Sequence, residues 1–491
     1  MADSGTKKEM TAEQIAELDA IFERAHAAQK VAEGFDQETV DRLIRAIAWS
    51  VANTTTFHQL VEMGIEESGL GDYTSRMNKR MKIRGVLRDA LRQPSVGIIE
   101  EDVAKGLVKY GKPAGIVGCI VPTTNPDLTP AGNAIYSIKA RNAVIFSAHP
   151  RSLRTTMRTV ELMREALVAN GAPADLLQVY PFPSLLTSQA IMARSDLVVA
   201  TGGQGLVRAA YSSGTPAYGV GAGNATEFLD ETADVAQTAM NCMLSKTSDF
   251  GSGCSADGNI LVPAALHDEL VEELKKVGGH LVEVEQKDRL RAEMWNEDGS
   301  RKHQSVAVSA QDMAAVCGFE VPAEVKFLFV LGDGIGEDYA QAFCREKLTT
   351  VLAVHKYEGS FEDGVELAKE LYEVGGKGHS CGIASSDDAH IDYFARHMPV
   401  SRIMVNQPNS RANAGAFNNG MPMTSSMGCG TWGGNITSEN VALKHYMNTT
   451  WVSRTIAADR PSDRELFGEF YDPALEPDGE AQPTDAAVTM K

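Results

Sequence analysis

The chain is expected to be α/β, with parallel sheets covered by helices and arranged as two successive units behind a helical N-terminal stretch. Three observations predict this. From Gly115 onward short apolar runs alternate with amphipathic stretches at helical spacing, the rhythm that builds parallel sheets. The rhythm starts afresh after Cys254. The length of 491 residues exceeds what one ordinary core fills, so two or three domains are expected.

Residues 11 to about 94 read as helices by composition and apolar spacing. Thr11-Ala12-Glu13-Gln14 forms a capping box ahead of Ile15, Leu18, Ile21 and Phe22. Thr39 through Val51 continues the helical period. Val96 to Tyr110 turns to an extended pattern and predicts a hairpin. Strands are then expected at Ile116–Val121, Ala143–Phe146, Leu177–Tyr180, Leu197–Ala200 and around Ala217–Val220. Helices between them are expected at Pro130–Arg141, Leu153–Asn170 and Gly205–Ser213. The second has an apolar stripe at Met157, Val160, Met163 and Leu167. Beyond Cys254, strands are expected at Asn259–Val262, Phe327–Val330 and Ser401–Val405, with helices at His267–Val277 and Phe361–Val374. Gln407–Asn435 is rich in Gly, Asn and Ser and reads as loop. Val441–Thr455 contains an edge strand, and the acidic tail from Pro473 to Lys491 is expected to be disordered.

Hydrophobic residues make up 43% and charged residues 23%, a soluble globular composition. The net charge of -19, without a Lys/Arg run, argues against duplex nucleic acid or an anionic membrane as partner. Seven cysteines stand at irregular spacing without a CxxC pair, so neither a disulfide framework nor a metal site is expected. A reducing cytoplasm fits. The polar N-terminus lacks the apolar core of a secretory signal, and no run approaches the roughly 20 apolar residues of a membrane span.

Cys254 sits in Ser245-Lys246-Thr247-Ser248-Asp249-Phe250-Gly251-Ser252-Gly253-Cys254-Ser255. Small polar surroundings suit a reachable nucleophile better than a core thiol, although a small residue in a glycine loop would look the same. Val121-Pro122-Thr123-Thr124-Asn125-Pro126 follows a predicted strand. Asn125 there is either an oxyanion donor or the start of an Asx turn. Thr201-Gly202-Gly203-Gln204-Gly205 is a βα turn able to approach a phosphate or ribose, without being a GxGxxG fingerprint. Gly219-Val220-Gly221-Ala222-Gly223-Asn224, Glu346-Lys347-Leu348 and Gly375-Gly376-Lys377-Gly378-His379-Ser380 complete the set.

In this order, with the later segment GCGTWGGN, these segments resemble the CoA-acylating branch of the aldehyde dehydrogenase superfamily, from about Lys109 to about Asn448. The resemblance is to the aldehyde dehydrogenase half of bifunctional aldehyde-alcohol dehydrogenases and to acylating sulfoacetaldehyde dehydrogenases. It implies an aldehyde dehydrogenase fold: a Rossmann-like cofactor domain (1–95 and 113–253), a catalytic domain (254–440) and a small β oligomerisation element (96–112 and 441–455). A homodimer or homotetramer follows. An iron-dependent alcohol dehydrogenase half is not expected.

The resemblance also implies roles. Cys254 matches the nucleophile, and Asn125 matches the oxyanion donor acting with the Cys254 backbone N–H. Thr123, Thr124, Ser147, His149, Gly202, Gly203, Gly221, Glu346 and His379 match cofactor-binding positions, with Glu346 holding the nicotinamide ribose and the role of His379 open. Hydrolytic relatives carry a glutamate that activates water where Val220 stands, and valine cannot act as a base. A thiol acceptor, coenzyme A, is therefore expected to take the acyl group. The expected reaction is reversible: aldehyde, NAD(P)+ and CoA give acyl-CoA and NAD(P)H. The rivals are a hydrolytic enzyme making the free acid and an acyl-phosphate-using enzyme of the same fold.

Arg411 and Asn406 match the aldehyde entrance. A guanidinium would suit an anionic aldehyde, so sulfoacetaldehyde stands beside acetaldehyde-like substrates, with the neighbouring Asp127 counting against an anion. The segment Ser147 to Ser152 carries His149 and Arg151 and no acid, so NADP is expected to be accepted alongside NAD.

Overall fold

The computed structural model describes residues 9–221 and 223–475. The expected disordered tail therefore lies outside the described residues, apart from the turn Pro473–Leu475. The N-terminal stretch forms the helices Ala12–Ala32, Gln37–Ala52, Thr54–Ser68 and Arg80–Leu91. Thr11 and Gln14 close a capping box on the first of them. The second buries Val40, Leu43, Ile44, Ile47, Ala48 and Val51, the three- and four-residue spacing of a single helix face.

Three sheets follow. The hairpin strands β1 (Gly97–Asp102) and β2 (Leu107–Pro113) come first. Next are β3 (Ile116–Val121), β4 (Ala143–Ala148), β5 (Leu177–Val179), β6 (Leu197–Thr201) and β7 (Ala217–Val220). They form a parallel sheet of order β5-β4-β3-β6-β7. β3 and β4 are buried along their whole length, the pattern of strands with both faces covered. Their side chains share one core with the N-terminal helices, through Leu43, Ile47, Ile116, Val144 and Phe146 among others.

The third sheet comprises β8 (Thr226–Leu229), β9 (Asn259–Pro263), β10 (Gly279–Leu281), β11 (Phe327–Leu331), β12 (Val351–Tyr357), β13 (Cys381–Ala384) and β14 (Ile403–Val405). Their order is β10-β11-β12-β9-β8-β13-β14, parallel throughout. A division at 253/254 would cut this unit. β8 pairs with β9 and β13, and helix Val235–Lys246 shares a core with β9 and β11. The second unit thus starts near residue 226, before the cysteine. Finally β15 (Met447–Ser453) adds to the free edge of β2 along its length, Met447 opposite Pro113 and Ser453 opposite Leu107.

Helix Leu153–Ala169 departs from its predicted stripe. Val160, Met163 and Leu167 are buried, but Met157 is 43% exposed. Thr156, four residues before Val160, takes the inward place instead. Among the described residues no helix is long and apolar enough to cross a membrane.

Candidate active site

The order of the five-stranded sheet fixes where a ligand can lie. From β3 the chain proceeds to β4 on one side, and from β6 to β7 on the other. Open α/β sheets bind ligands at such a switch point, beyond the carboxyl ends of the strands. Thr123, Thr124 and Asn125 follow β3 there, and Gly202 and Gly203 follow β6. The Thr123 hydroxyl oxygen is buried and has no hydrogen-bond partner. Positions 203, 205 and 221 have nothing within 4 Å of where a Cβ would stand. An orphaned hydroxyl beside open glycine backbone fits a polar ligand such as a dinucleotide.

Gly223 belongs to the opposite wall. A Cβ there would lie 1.8 Å from the carbonyl oxygen of Cys254 and 3.3 Å from Cγ of His379. The glycine thus lets three segments meet at the thiol. His379 is fully buried, with Nε2 3.2 Å from Cys254 Sγ and Nδ1 2.7 Å from Ser380 Oγ. Burial, reinforced by the nearby Arg402 charge, pushes the imidazole pKa down to about 3, so the ring is neutral at physiological pH. Cys254 retains partial solvent access. Burial of its sulfur and the Glu346 carboxylate push the thiol up to about 12, against a smaller opposing influence of Arg402.

Glu346 accepts the Gly223 backbone N–H at 3.1 Å and faces Arg301 at 3.5 Å. Burial raises its pKa, while Arg301 and the Gly223 N–H oppose the rise. Asn224 donates to the Cys344 carbonyl at 2.7 Å. The glycine-rich loop before His379 is equally tight: a Cβ on Gly376 would strike Asn224 at 2.5 Å, and one on Gly378 the Cys429 carbonyl at 2.0 Å. The separate motifs of the sequence therefore converge on one thiol.

The turn leading to Cys254 is wound the unusual way. Asp249, Phe250 and Gly251 have φ of 51°, 50° and 67°, a left-handed run that L-residues avoid. The Asp249 carboxylate holds it. It faces Arg76 Nε at 3.3 Å and Lys79 Nζ at 2.6 Å, and accepts the Asp72 N–H at 3.1 Å. Burial works against ionisation of Asp249, but the Lys79 and Arg76 charges outweigh it and hold its pKa below the ordinary value. Lys79 also donates to Asn125 Oδ1 at 2.8 Å. Neither Lys79 nor Asp249 was legible as a site residue, since each resembles any charge on a solvated turn. Lys246, also unrecognised, is 1% exposed, and burial lowers its pKa to about 7 against the pull of Asp257 and Glu346.

These contacts relocate some expected ligand contacts. His379 lies against the Cys254 sulfur. Ser147 is buried with its hydroxyl 2.8 Å from Ser188 Oγ, so it is turned into the helix packing. His149 is exposed at the end of β4 and accepts the Arg151 N–H at 3.1 Å, while the Arg151 guanidinium bonds the Ser68 carbonyl. Asn406 is exposed, and at φ 53° its amide holds both the N–H and the carbonyl of Ser385, at 3.2 and 2.8 Å. Arg411 is exposed on the short helix Asn409–Ala412. Asp127 is buried and caps the next helix through the Leu128 N–H at 2.8 Å.

The sequence profile described as the aldehyde dehydrogenase family matches residues 2–452. The chain belongs to this family. A sulfoacetaldehyde dehydrogenase of an Acholeplasma species is 42% identical over 91% of this chain and 93% of its own. An acylating sulfoacetaldehyde dehydrogenase of Bilophila wadsworthia is 40% identical over 92% of this chain and 97% of its own. The crystal structure of an acetylating aldehyde dehydrogenase from Geobacillus thermoglucosidasius superimposes with a TM-score of 0.87 at 33% identity, covering 91% of this chain and 98% of that one. The two parallel sheets and the added β-hairpin edge are thus this aldehyde dehydrogenase's family architecture.

Proposed function

We propose that this aldehyde dehydrogenase oxidises a short aldehyde and passes the acyl group to coenzyme A. The observation that carries the reading is that, among the described residues, no carboxylate at the thiol is free to activate water, while the His379 imidazole, pushed down to about 3, is a weak base already turned to the Cys254 sulfur. Val220 ends β7 as a buried apolar residue. The carboxylate that most raises the Cys254 pKa is Glu346, and its oxygens already face Gly223 N–H and Arg301. The acylating relative and the acetylating neighbour agree with this reading.

In the proposed mechanism Nδ1–H of His379 donates to Ser380 Oγ, which leaves Nε2 to accept the Cys254 S–H and aim the sulfur. The sulfur attacks the aldehyde carbon as its proton passes by way of His379 Nε2 to solvent. Asn125 Nδ2–H and the Cys254 backbone N–H receive the developing oxyanion. NAD(P)+, when bound, would supply the hydride acceptor for the oxidation. The resulting Cys254 thioester is attacked by the CoA thiolate, a good nucleophile near neutral pH, and Cys254 leaves as thiolate. Thr123, Thr124, Gly202, Gly203, Gly221 and Glu346 would hold the dinucleotide. The exposed His149, with no acid beside it, supports acceptance of NADP as well as NAD.

Sulfoacetaldehyde is the specific substrate we propose, on the strength of the named relatives and of Arg411. We further propose a cytoplasmic homo-oligomer joined through β1, β2 and β15, where Ile98 and Trp451 are exposed.

NAD(P)H formation at 340 nm with sulfoacetaldehyde and with acetaldehyde, each with and without CoA, tests both parts. Strict CoA dependence with preference for sulfoacetaldehyde is expected, and Arg411→Gln should remove much of the preference. Sustained turnover without CoA, or turnover by Cys254→Ala, would overturn the mechanism. CoA-dependent activity on acetaldehyde alone would discard the substrate.

A further inference from the structure

We infer that Lys79 is a positioning residue that sets the orientation of the Asn125 amide, and with it the oxyanion site. The inference rests on the reading of Asn125 as oxyanion donor.

Lys79 stands at the start of helix Arg80–Leu91, with its side chain only 17% exposed. Its ammonium makes three contacts: Asn125 Oδ1 at 2.8 Å, the Thr124 carbonyl at 3.2 Å and Asp249 Oδ2 at 2.6 Å. An asparagine amide is nearly symmetric in shape, and a half-turn exchanges its acceptor with its two donors. An ammonium has donors only. With Lys79 in place, the flipped amide would set N–H against N–H, so the oxygen must face the lysine and Nδ2 must face away. Nδ2 keeps a long contact, 3.3 Å, to Thr124 Oγ1, which leaves its second hydrogen for an oxyanion.

The lysine is itself fixed. Asp249 is anchored a second time by Arg76, which is 1% exposed. Asp249 also opens the left-handed turn that leads to Cys254. One ammonium thus ties the loop after β3 to the loop carrying the thiol, and sets the spacing of oxyanion donor and nucleophile. Without it Asn125 could rest in either orientation, and its loop would lose a link to the Cys254 turn.

A double-mutant cycle tests this. Asn125→Ala should lower kcat by about 10²–10³-fold, as loss of one oxyanion donor does. Lys79→Met should lower kcat by about 10–100-fold with little change in aldehyde KM. The double variant should be no slower than Asn125→Ala alone, because Lys79 acts through that amide. Lys79→Arg, which keeps donors and charge, should recover part of the loss. NADH affinity and the rate of Cys254 alkylation by iodoacetamide should stay near wild type in Lys79→Met, which separates positioning from collapse of the nucleophile loop. Should Lys79→Met not fold, Lys79→Gln carries the same cycle. Additive losses in the double variant, an unchanged kcat in Lys79→Met, or slowed alkylation matching the loss in kcat would each overturn the inference. A fully active Asn125→Ala would instead bring down the oxyanion reading itself.

Discussion

Gly223→Ala places one methyl group against the backbone of Cys254. Its Cβ would stand 1.8 Å from the Cys254 carbonyl oxygen and 2.7 Å from the carbonyl carbon. Real Cβ atoms essentially never approach closer than 3.0 Å, so the carbonyl, the alanine or both must move by about 1.2 Å in total. The obstacle is backbone, not the flexible end of a side chain. The same methyl would press on His379 Cγ at 3.3 Å. The expected effect is therefore steric.

A misplacement of about 1 Å at a reacting centre costs on the order of a hundredfold in rate, roughly 2.7 kcal/mol of barrier. CoA-dependent NAD(P)H formation by Gly223→Ala should accordingly fall about 100-fold in kcat. Gly420→Ala serves as control, since its Cβ would meet nothing within 4 Å and its φ is not left-handed. It should behave as wild type. A Gly223→Ala enzyme with kcat within about threefold of wild type, at unchanged thermal midpoint, would refute the packing argument. It would mean that the Cys254 carbonyl can yield without moving the sulfur.

Two further outcomes follow from the electrostatics. With the thiol pushed up to about 12, alkylation of Cys254 by iodoacetamide in the cofactor-free enzyme should rise about tenfold per pH unit from pH 7 to 9, because the thiolate is the reactive form; a plateau below pH 9 would contradict the burial argument. Asp249→Ala should destabilise the protein by about 3–5 kcal/mol at pH 7, since it leaves the buried Arg76 without its carboxylate. The Asp249 pKa is depressed on folding, so its contribution is present above the unfolded carboxyl pKa and lost as pH falls through the folded one. The gap between variant and wild type in urea unfolding should therefore close in strong acid, and a gap independent of pH would count against an ionic origin.

The parallel strands were legible because apolar runs such as Ile116–Val121 carry their own signal. Cys254 stands out in a similar way, since its polar and glycine neighbours are unlike a core. What stayed hidden depends on partners far away in the chain. Lys79 meets Asp249 across 170 residues, and nothing local to either marks it as buried. β8 was hidden for a local reason: its four residues include Glu227, a charge that breaks the apolar run, yet the strand is buried throughout. Glu227 shares Asn409 with Asp257, at 3.0 and 2.5 Å, and burial together with the Asp257 charge raises its pKa well above the usual range.

The glycines carry the most information and required the structure to be read. In the sequence they form one class, clustered in βα turns and before His379. In three dimensions they divide. At 203, 205 and 221 an added Cβ would point into open space; at 223, 376 and 378 it would strike Cys254, Asn224 and Cys429. Open positions can face a ligand, whereas closed ones hold protein segments together. Gly221 and Gly223 fall on either side of this division: the first leaves open space where a Cβ would stand, and the second packs against the Cys254 carbonyl. A change at Gly221 should therefore act through what binds, and a change at Gly223 through where the Cys254 sulfur stands.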